Sequence, residues 1–134
     1  MSGFLLDTNI PSEMLRPRPD ANVAEWVQRQ TSDTLFVSVV TMGELRRGAT
    51  LLAEQSPRRA ELEQMIHETV PSWFQDRILP VTRTIAERWG VLEGERQLAG
   101  GPLNMADGMI AATALEHGLT VVTRNCEGLR RVRC

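Results

Sequence analysis

Apolar positions along this chain follow two periods. Four short runs of aliphatic and β-branched residues have the length and composition of buried strands: Phe4-Leu5-Leu6, Leu35 to Val40, Ile78-Leu79-Pro80-Val81 and Leu119 to Thr123. Between them apolar residues recur at helical spacing. The helical sets are Ile10, Met14, Leu15; Val23, Trp26, Val27; Leu45, Ala49, Leu52; Leu62, Met65, Ile66, Val70, Trp73; Ile85, Trp89, Leu92, Leu98; and Met109, Ile110, Ala112, Ala114, Leu115. Pro17 and Pro19 end the first of these helices, and Asp20 or Asn22 starts the second. Thr41 is the expected cap of the third, and Ser56-Pro57 opens the fourth with proline at its favoured first position. Pro80 places the third strand at a sheet edge or makes it a strand end. Thr82 or Thr84 starts the fifth helix, Gly100-Gly101-Pro102 breaks it, and the sixth runs from Asn104 to His117 before Gly118. Strands alternating with helices predict an α/β fold with a mostly parallel sheet of four to five strands and helices on both faces.

Length and composition narrow this only a little. A chain of 134 residues suits one domain spanning 1–134, and no internal repeat or linker divides it. Its 42% hydrophobic and 24% charged content is that of a soluble globular protein. No apolar run reaches membrane-spanning length and no basic-then-apolar leader is visible, so a cytoplasmic protein is expected. All 15 basic residues are arginine, and the net charge of −2 offers no broad basic footprint for nucleic acid. Arg46, Arg47, Arg58, Arg59 and the tail residues Arg124, Arg130, Arg131 and Arg133 have the chemistry to grip phosphate, although pairing or surface solvation is the ordinary fate of any one of them. Cys126 and Cys134 lack metal-ligand spacing, and His67 and His117 stand alone, so neither a zinc site nor a Cys-His or Ser-His nucleophile has support.

The carboxylates are more informative. Asp7 stands where the first strand ends, Glu44 follows the second strand, and Asp107 opens the helix that leads into the last strand. Each has an ordinary reading. Asp7 suits a helix cap, Thr41-x-x-Glu44 fits a capping box, and Asn104-x-x-Asp107 resembles one. Their coincidence is what carries weight, because ligands bind at the carboxyl ends of strands in open α/β sheets. Several acids meeting in one crevice repel each other unless a cation sits among them.

These residues resemble a known family, the PIN domains, and within it the VapC/FitB-type toxins of bacterial toxin–antitoxin pairs. The likeness runs through Leu5-Leu6-Asp7-Thr8-Asn9, Val39-Val40-Thr41-Met42-Gly43-Glu44-Leu45, Ala106-Asp107-Gly108-Met109-Ile110-Ala111-Ala112-Thr113-Ala114 and His117-Gly118-Leu119-Thr120-Val121-Val122-Thr123-Arg124-Asn125. It implies a PIN-like three-layer α/β/α sandwich and a metal-dependent endoribonuclease. Asp7, Glu44 and Asp107 fall on the acidic positions, Asn125 on a fourth position that is Asp in many members, and Thr8, Asn9 and Thr123 on polar support positions. It also implies Mg²⁺ or Mn²⁺, a small antitoxin covering the acidic cleft, contact with DNA only through that antitoxin, and a homodimer or larger toxin–antitoxin assembly. After Asn125 the family usually continues with an Asp-Phe pair and a further strand, whereas here a short basic segment, Cys126 to Cys134, follows.

For RNA hydrolysis no His or Lys is placed to activate water, which leaves the work to a divalent ion on the carboxylates. On this reading Asp7 and Asp107 bind the ion directly or through water, Glu44 completes the site or orients the attacking water, and Asn125 and Thr8 hold water by hydrogen bonds. Two rivals stand beside it. A haloacid-dehalogenase-like phosphatase also begins with a strand and an Asp, but position 9 is Asn and the required Lys does not exist in this chain. The other is a catalytically impaired PIN-fold binding module that acts through its antitoxin complex.

Overall fold

The computed structural model describes residues 3–124 and the backbone of a short strand at Val132–Arg133. Asn125, the cysteines Cys126 and Cys134, and the tail arginines Arg130 and Arg131 lie outside the described residues.

Strand β1 (Phe4–Leu6) leads into helix α1 (Asn9–Met14) and α2 (Ala21–Arg29). Strand β2 (Leu35–Ser38) passes directly into α3 (Val39–Thr50). Helices α4 (Pro57–Gln64) and α5 (Val70–Phe74) are joined by a π turn over Met65–Thr69. That wider turn sits just ahead of Pro71, whose missing N–H and bulky ring disrupt regular helix. Strand β3 (Ile78–Leu79), α6 (Arg83–Leu98), α7 (Met105–His117), β4 (Thr120–Val122) and β5 (Val132–Arg133) complete the chain.

The five strands pair in the order β3-β2-β1-β4-β5, all parallel. The expected α/β fold is therefore present, and Pro80 follows an edge strand as anticipated. The short tail also supplies an edge strand, with Val132 opposite Val121. Successive strand residues point to opposite faces and build two cores. On one face Leu6, Leu35, Val37 and Val122 pack with Ile10, Val23, Leu45, Val70 and Phe74 from α1 to α5. On the other, Leu5, Phe36, Leu79 and Val121 pack with Ile110 and Ala114 of α7. This is the three-layer arrangement, with the sheet buried between helices.

Three sequence expectations need correction. The second strand ends at Ser38 rather than Val40, because the Ser38 hydroxyl caps the next helix by accepting from Val40 N–H at 3.0 Å. Thr41 is consequently not a cap; it lies inside α3, fully buried. Leu98, expected on the core stripe of α6, is 92% exposed at the helix end. Elsewhere the punctuation holds. Asp20, Thr82 and Asn104 cap α2, α6 and α7, and Gly118 closes α7 with φ 65°, a left-handed conformation suited to glycine.

Candidate active site

The strand order fixes where a ligand site should form. The chain moves from β1 outward to β2 and β3, then returns to lay β4 on the opposite side of β1. The carboxyl ends of β1 and β4 therefore flank the switch point, the crevice where open α/β sheets bind ligands. Asp7 stands at one lip and Thr123 at the other.

Asp7 is buried, and its carboxylate is held from both sides. Oδ1 accepts from Thr8 N–H at 2.8 Å, and Oδ2 accepts from the Thr123 hydroxyl at 2.7 Å. Asn9 Nδ2 donates to Thr123 Oγ1 at 3.0 Å, so the Thr123 hydroxyl is directed towards Asp7. Thr41 and Glu44, three residues apart on one face of α3, both meet the Thr8 side chain. The Thr8 hydroxyl donates to Glu44 Oε1 and lies 3.1 Å from Thr41 Oγ1. Glu44 is thus tied to the β1 exit rather than to the start of its own helix, and the capping-box reading of Thr41-x-x-Glu44 fails. Thr8, expected to hold water, gives its hydroxyl hydrogen to Glu44 and keeps acceptor capacity on the oxygen.

Asp107 keeps its local role as well. Asn104 Oδ1 accepts from Asp107 N–H at 2.9 Å, and Asn104 Nδ2 donates to Asp107 Oδ2 at 2.9 Å. Partial burial, followed by the charges of Asp7 and Glu44, holds the Asp107 carboxyl above its ordinary value of 3.8, against the weaker downward pull of Asn104. The three acids therefore share one electrostatic neighbourhood. Gly108 lets α7 approach α6 closely, since a Cβ there would stand 2.8 Å from both Cδ1 and Nε1 of Trp89. Asp107 is set beside this packing contact.

None of the three acids has a basic partner among the described residues, whereas Glu13, Glu63 and Glu116 each pair with arginine. Nor do any three His, Cys, Asp or Glu side chains among the described residues converge closely enough to hold an ion between them. Each carboxylate nevertheless has lone pairs beyond those its protein donors occupy. Such a donor set suits an ion that keeps much of its own water shell, as Mg²⁺ does, and not a closed protein cage.

Next to this site a pocket of about 310 Å³ opens between α1, α3 and α4. Thr8 and Glu44 form its site end, Leu45 and Leu62 are among its apolar walls, and Arg16 and Arg58 also line it. Of the sequence-predicted residues, Asp7, Thr8, Asn9, Glu44 and Thr123 form one connected hydrogen-bonded and side-chain network, and Asp107 joins electrostatically. Asn125 falls outside the described residues. Sequence reasoning missed Glu13, Ser38 and the buried placement of Thr41. It grouped Arg124 with phosphate-gripping residues, whereas the guanidinium pairs with Glu13 at 2.9 Å and reaches Asp20 at 3.6 Å. The one available signal was the helical spacing of Asn9 and Glu13.

A family model of the PIN domain matches residues 4–133. Toxin FitB of Neisseria gonorrhoeae is 36% identical over 122 residues, covering 91% of this chain and 87% of that protein. The VapC ribonuclease Y4jK of Sinorhizobium fredii is 33% identical over 122 residues, covering 91% and 86%. Among solved structures, FitAB bound to an IR36 DNA fragment aligns with TM-score 0.81 at 34% identity, covering 91% of this chain and 85% of that one. The chain belongs to the PIN domain family, and its relatives include toxins of the FitB and VapC type.

Proposed function

We propose that this protein is the toxin of a type II toxin–antitoxin pair and a divalent-metal-dependent endoribonuclease that hydrolyses RNA phosphodiester bonds at Asp7, Glu44 and Asp107, with Asn125 as the fourth position. The observation that carries the reading is a buried carboxylate and two neighbouring acids at the sheet's switch point, none of them with a basic partner among the described residues. Its support from relatives is that one is named a ribonuclease and another a toxin.

Mg²⁺ or Mn²⁺ held there supplies the Lewis acidity that phosphodiester hydrolysis at neutral pH requires. The chain's own residues set the geometry. Thr8 N–H and the Thr123 hydroxyl fix both oxygens of Asp7, so that carboxylate is oriented before any ligand arrives. Thr8 restrains Glu44 through one oxygen and leaves the other to orient water. Partial burial, followed by the charges of Asp7 and Glu44, raises the proton affinity of Asp107, and positive charge in the site would lower it again. Asp7 and Asp107 would hold the ion directly or through its water shell.

The neighbouring pocket, apolar with two arginines, suits a segment of a small antitoxin laid across the cleft. On this proposal DNA is reached only through the antitoxin, and the working assembly is a homodimer or a larger toxin–antitoxin complex. No helix among the described residues is long and apolar enough to cross a membrane, and the proposed site of action is the cytoplasm.

The test is cleavage of a mixed RNA pool by antitoxin-free protein with Mg²⁺ or Mn²⁺, and again with chelator. Cleavage that disappears with chelator is expected. Chelator-resistant cleavage would remove the metal from the account, and no cleavage by folded protein that binds antitoxin would favour a non-catalytic binding module.

A further inference from the structure

We propose that Glu13 and Arg124 form a positioning clamp that holds the Thr123–Asp7 hydrogen bond in register, a role that rests on the ribonuclease reading above. Asn9 and Glu13 stand four residues apart on α1 and so share a face. From that face they take residue 124 at two points. Asn9 Oδ1 accepts from the Arg124 backbone N–H at 3.2 Å, and Glu13 Oε1 accepts from the Arg124 guanidinium at 2.9 Å.

The first contact decides how the Asn9 amide is turned. A backbone N–H only donates, so it must face the amide oxygen, and the amide nitrogen is thereby directed to Thr123 Oγ1. With that oxygen accepting from Asn9, the Thr123 hydroxyl hydrogen is directed to Asp7 Oδ2 at 2.7 Å. The second contact keeps residue 124 in place for the first. Glu13 is buried, and its other oxygen accepts from Asp20 N–H at 2.8 Å at the start of α2. Arg124 Nη2 also stands 3.6 Å from Asp20 Oδ2. The exit of β4 is thus fastened to the α1–α2 corner, and the fastening passes through Asn9 and Thr123 to Asp7. Neither Glu13 nor Arg124 hydrogen-bonds to any of the three site acids, so both are positioning residues.

Wild type, Arg124→Met, Arg124→Lys and Glu13→Gln would be compared for kcat and KM on RNA and for Mn²⁺ binding by electron paramagnetic resonance, each per folded molecule. Removing a support of this kind is expected to lower kcat and weaken Mn²⁺ binding by roughly 10- to 100-fold in Arg124→Met, with KM within about twofold. Arg124→Lys should recover most of both. The sign of the Mn²⁺ change is diagnostic. Loss of a positive charge by itself strengthens cation binding, so weaker binding reports lost geometry.

Glu13→Gln has one oxygen for the two donors that Glu13 serves, and the same readouts should fall less far. If Arg124→Met does not fold, kcat of Glu13→Gln at saturating Mn²⁺ decides the matter, because losing the Glu13 charge weakens Mn²⁺ binding whatever the geometry. Unchanged kcat and Mn²⁺ binding, tighter Mn²⁺ binding, or a change confined to KM would overturn the clamp. Mn²⁺ binding that falls as expected while no protein, wild type included, cleaves RNA would keep the clamp and reject the ribonuclease.

Discussion

Asp7 and Glu13 are six residues apart, equally buried at 6% exposure, and treated in opposite ways. Glu13 accepts from Arg124 at 2.9 Å, has Arg16 at 3.6 Å and accepts from Asp20 N–H, so its charge is met by guanidinium. Among the described residues Asp7 receives only neutral donors, Thr8 N–H and the Thr123 hydroxyl, and its charge acts on Asp107 together with that of Glu44. Burying a carboxylate is costly unless it is paired and hydrogen-bonded. A fold with 15 arginines leaves Asp7 without one among the described residues. On the proposed function, the difference separates a carboxylate that fastens the chain from one whose charge is kept for a ligand.

The largest effect should follow Asp7→Asn. The amide keeps the size of the side chain and removes the charge, so RNA cleavage should fall at least about 100-fold while the circular dichroism spectrum and antitoxin binding remain. Cleavage within a few-fold of wild type would erase the functional half of the contrast. The structural half is broken at Arg124. Arg124→Ala leaves Glu13 buried without its closest cation and should cost about 3 kcal/mol in urea unfolding. Glu13→Ala leaves a half-exposed guanidinium that water solvates, and should cost less, about 2 kcal/mol. Equal costs would show that burial does not set the asymmetry.

Gly108→Ala places a methyl 2.8 Å from the Trp89 indole and forces α6 and α7 apart beside Asp107. A loss of about 1–2 kcal/mol is expected from thermal unfolding, with reduced cleavage. The smallest effect, and of opposite sign, belongs to Asp107→Asn. A carboxyl whose folded-state affinity for protons is raised favours the folded state when protonated, and loses that advantage as pH rises from 3.8 through the raised value. Above that window the ionised Asp107 strains the fold. Asp107→Asn should therefore be more stable than wild type at neutral pH without metal, by no more than about 1 kcal/mol for a group that is only partly buried, and the gain should shrink in acid.

Much of this molecule was legible in its sequence because the signals are local. Phe4-Leu5-Leu6-Asp7 and Leu119 to Thr123 read as strands with polar residues at their exits, and those exits meet at the switch point. Asp20, Thr82, Asn104 and Gly118 act where their chemistry suggests. The β2–α3 boundary was not legible, since Val39 and Val40 continue a β-branched run and only the Ser38 cap ends it. The role of Glu44 was hidden for the same reason. Thr41-x-x-Glu44 has the spacing of a capping box, but both side chains turn to Thr8, more than 30 residues earlier. The Glu13–Arg124 pair spans 111 positions, and nothing in either local stretch announces the other. Leu98 misled because helical periodicity continues past the point where α6 still covers the core.

The central claim is that the Asp7 cluster, unlike Glu13, is kept unpaired to receive a cation. Mn²⁺ binding followed by electron paramagnetic resonance in wild type, Asp7→Asn and Glu13→Asp tests it most directly. The account predicts saturable binding in wild type, its loss in Asp7→Asn, and retention of a measurable site in Glu13→Asp, where the negative charge of the fastening residue is preserved. Equal Mn²⁺ binding by wild type and Asp7→Asn would contradict it.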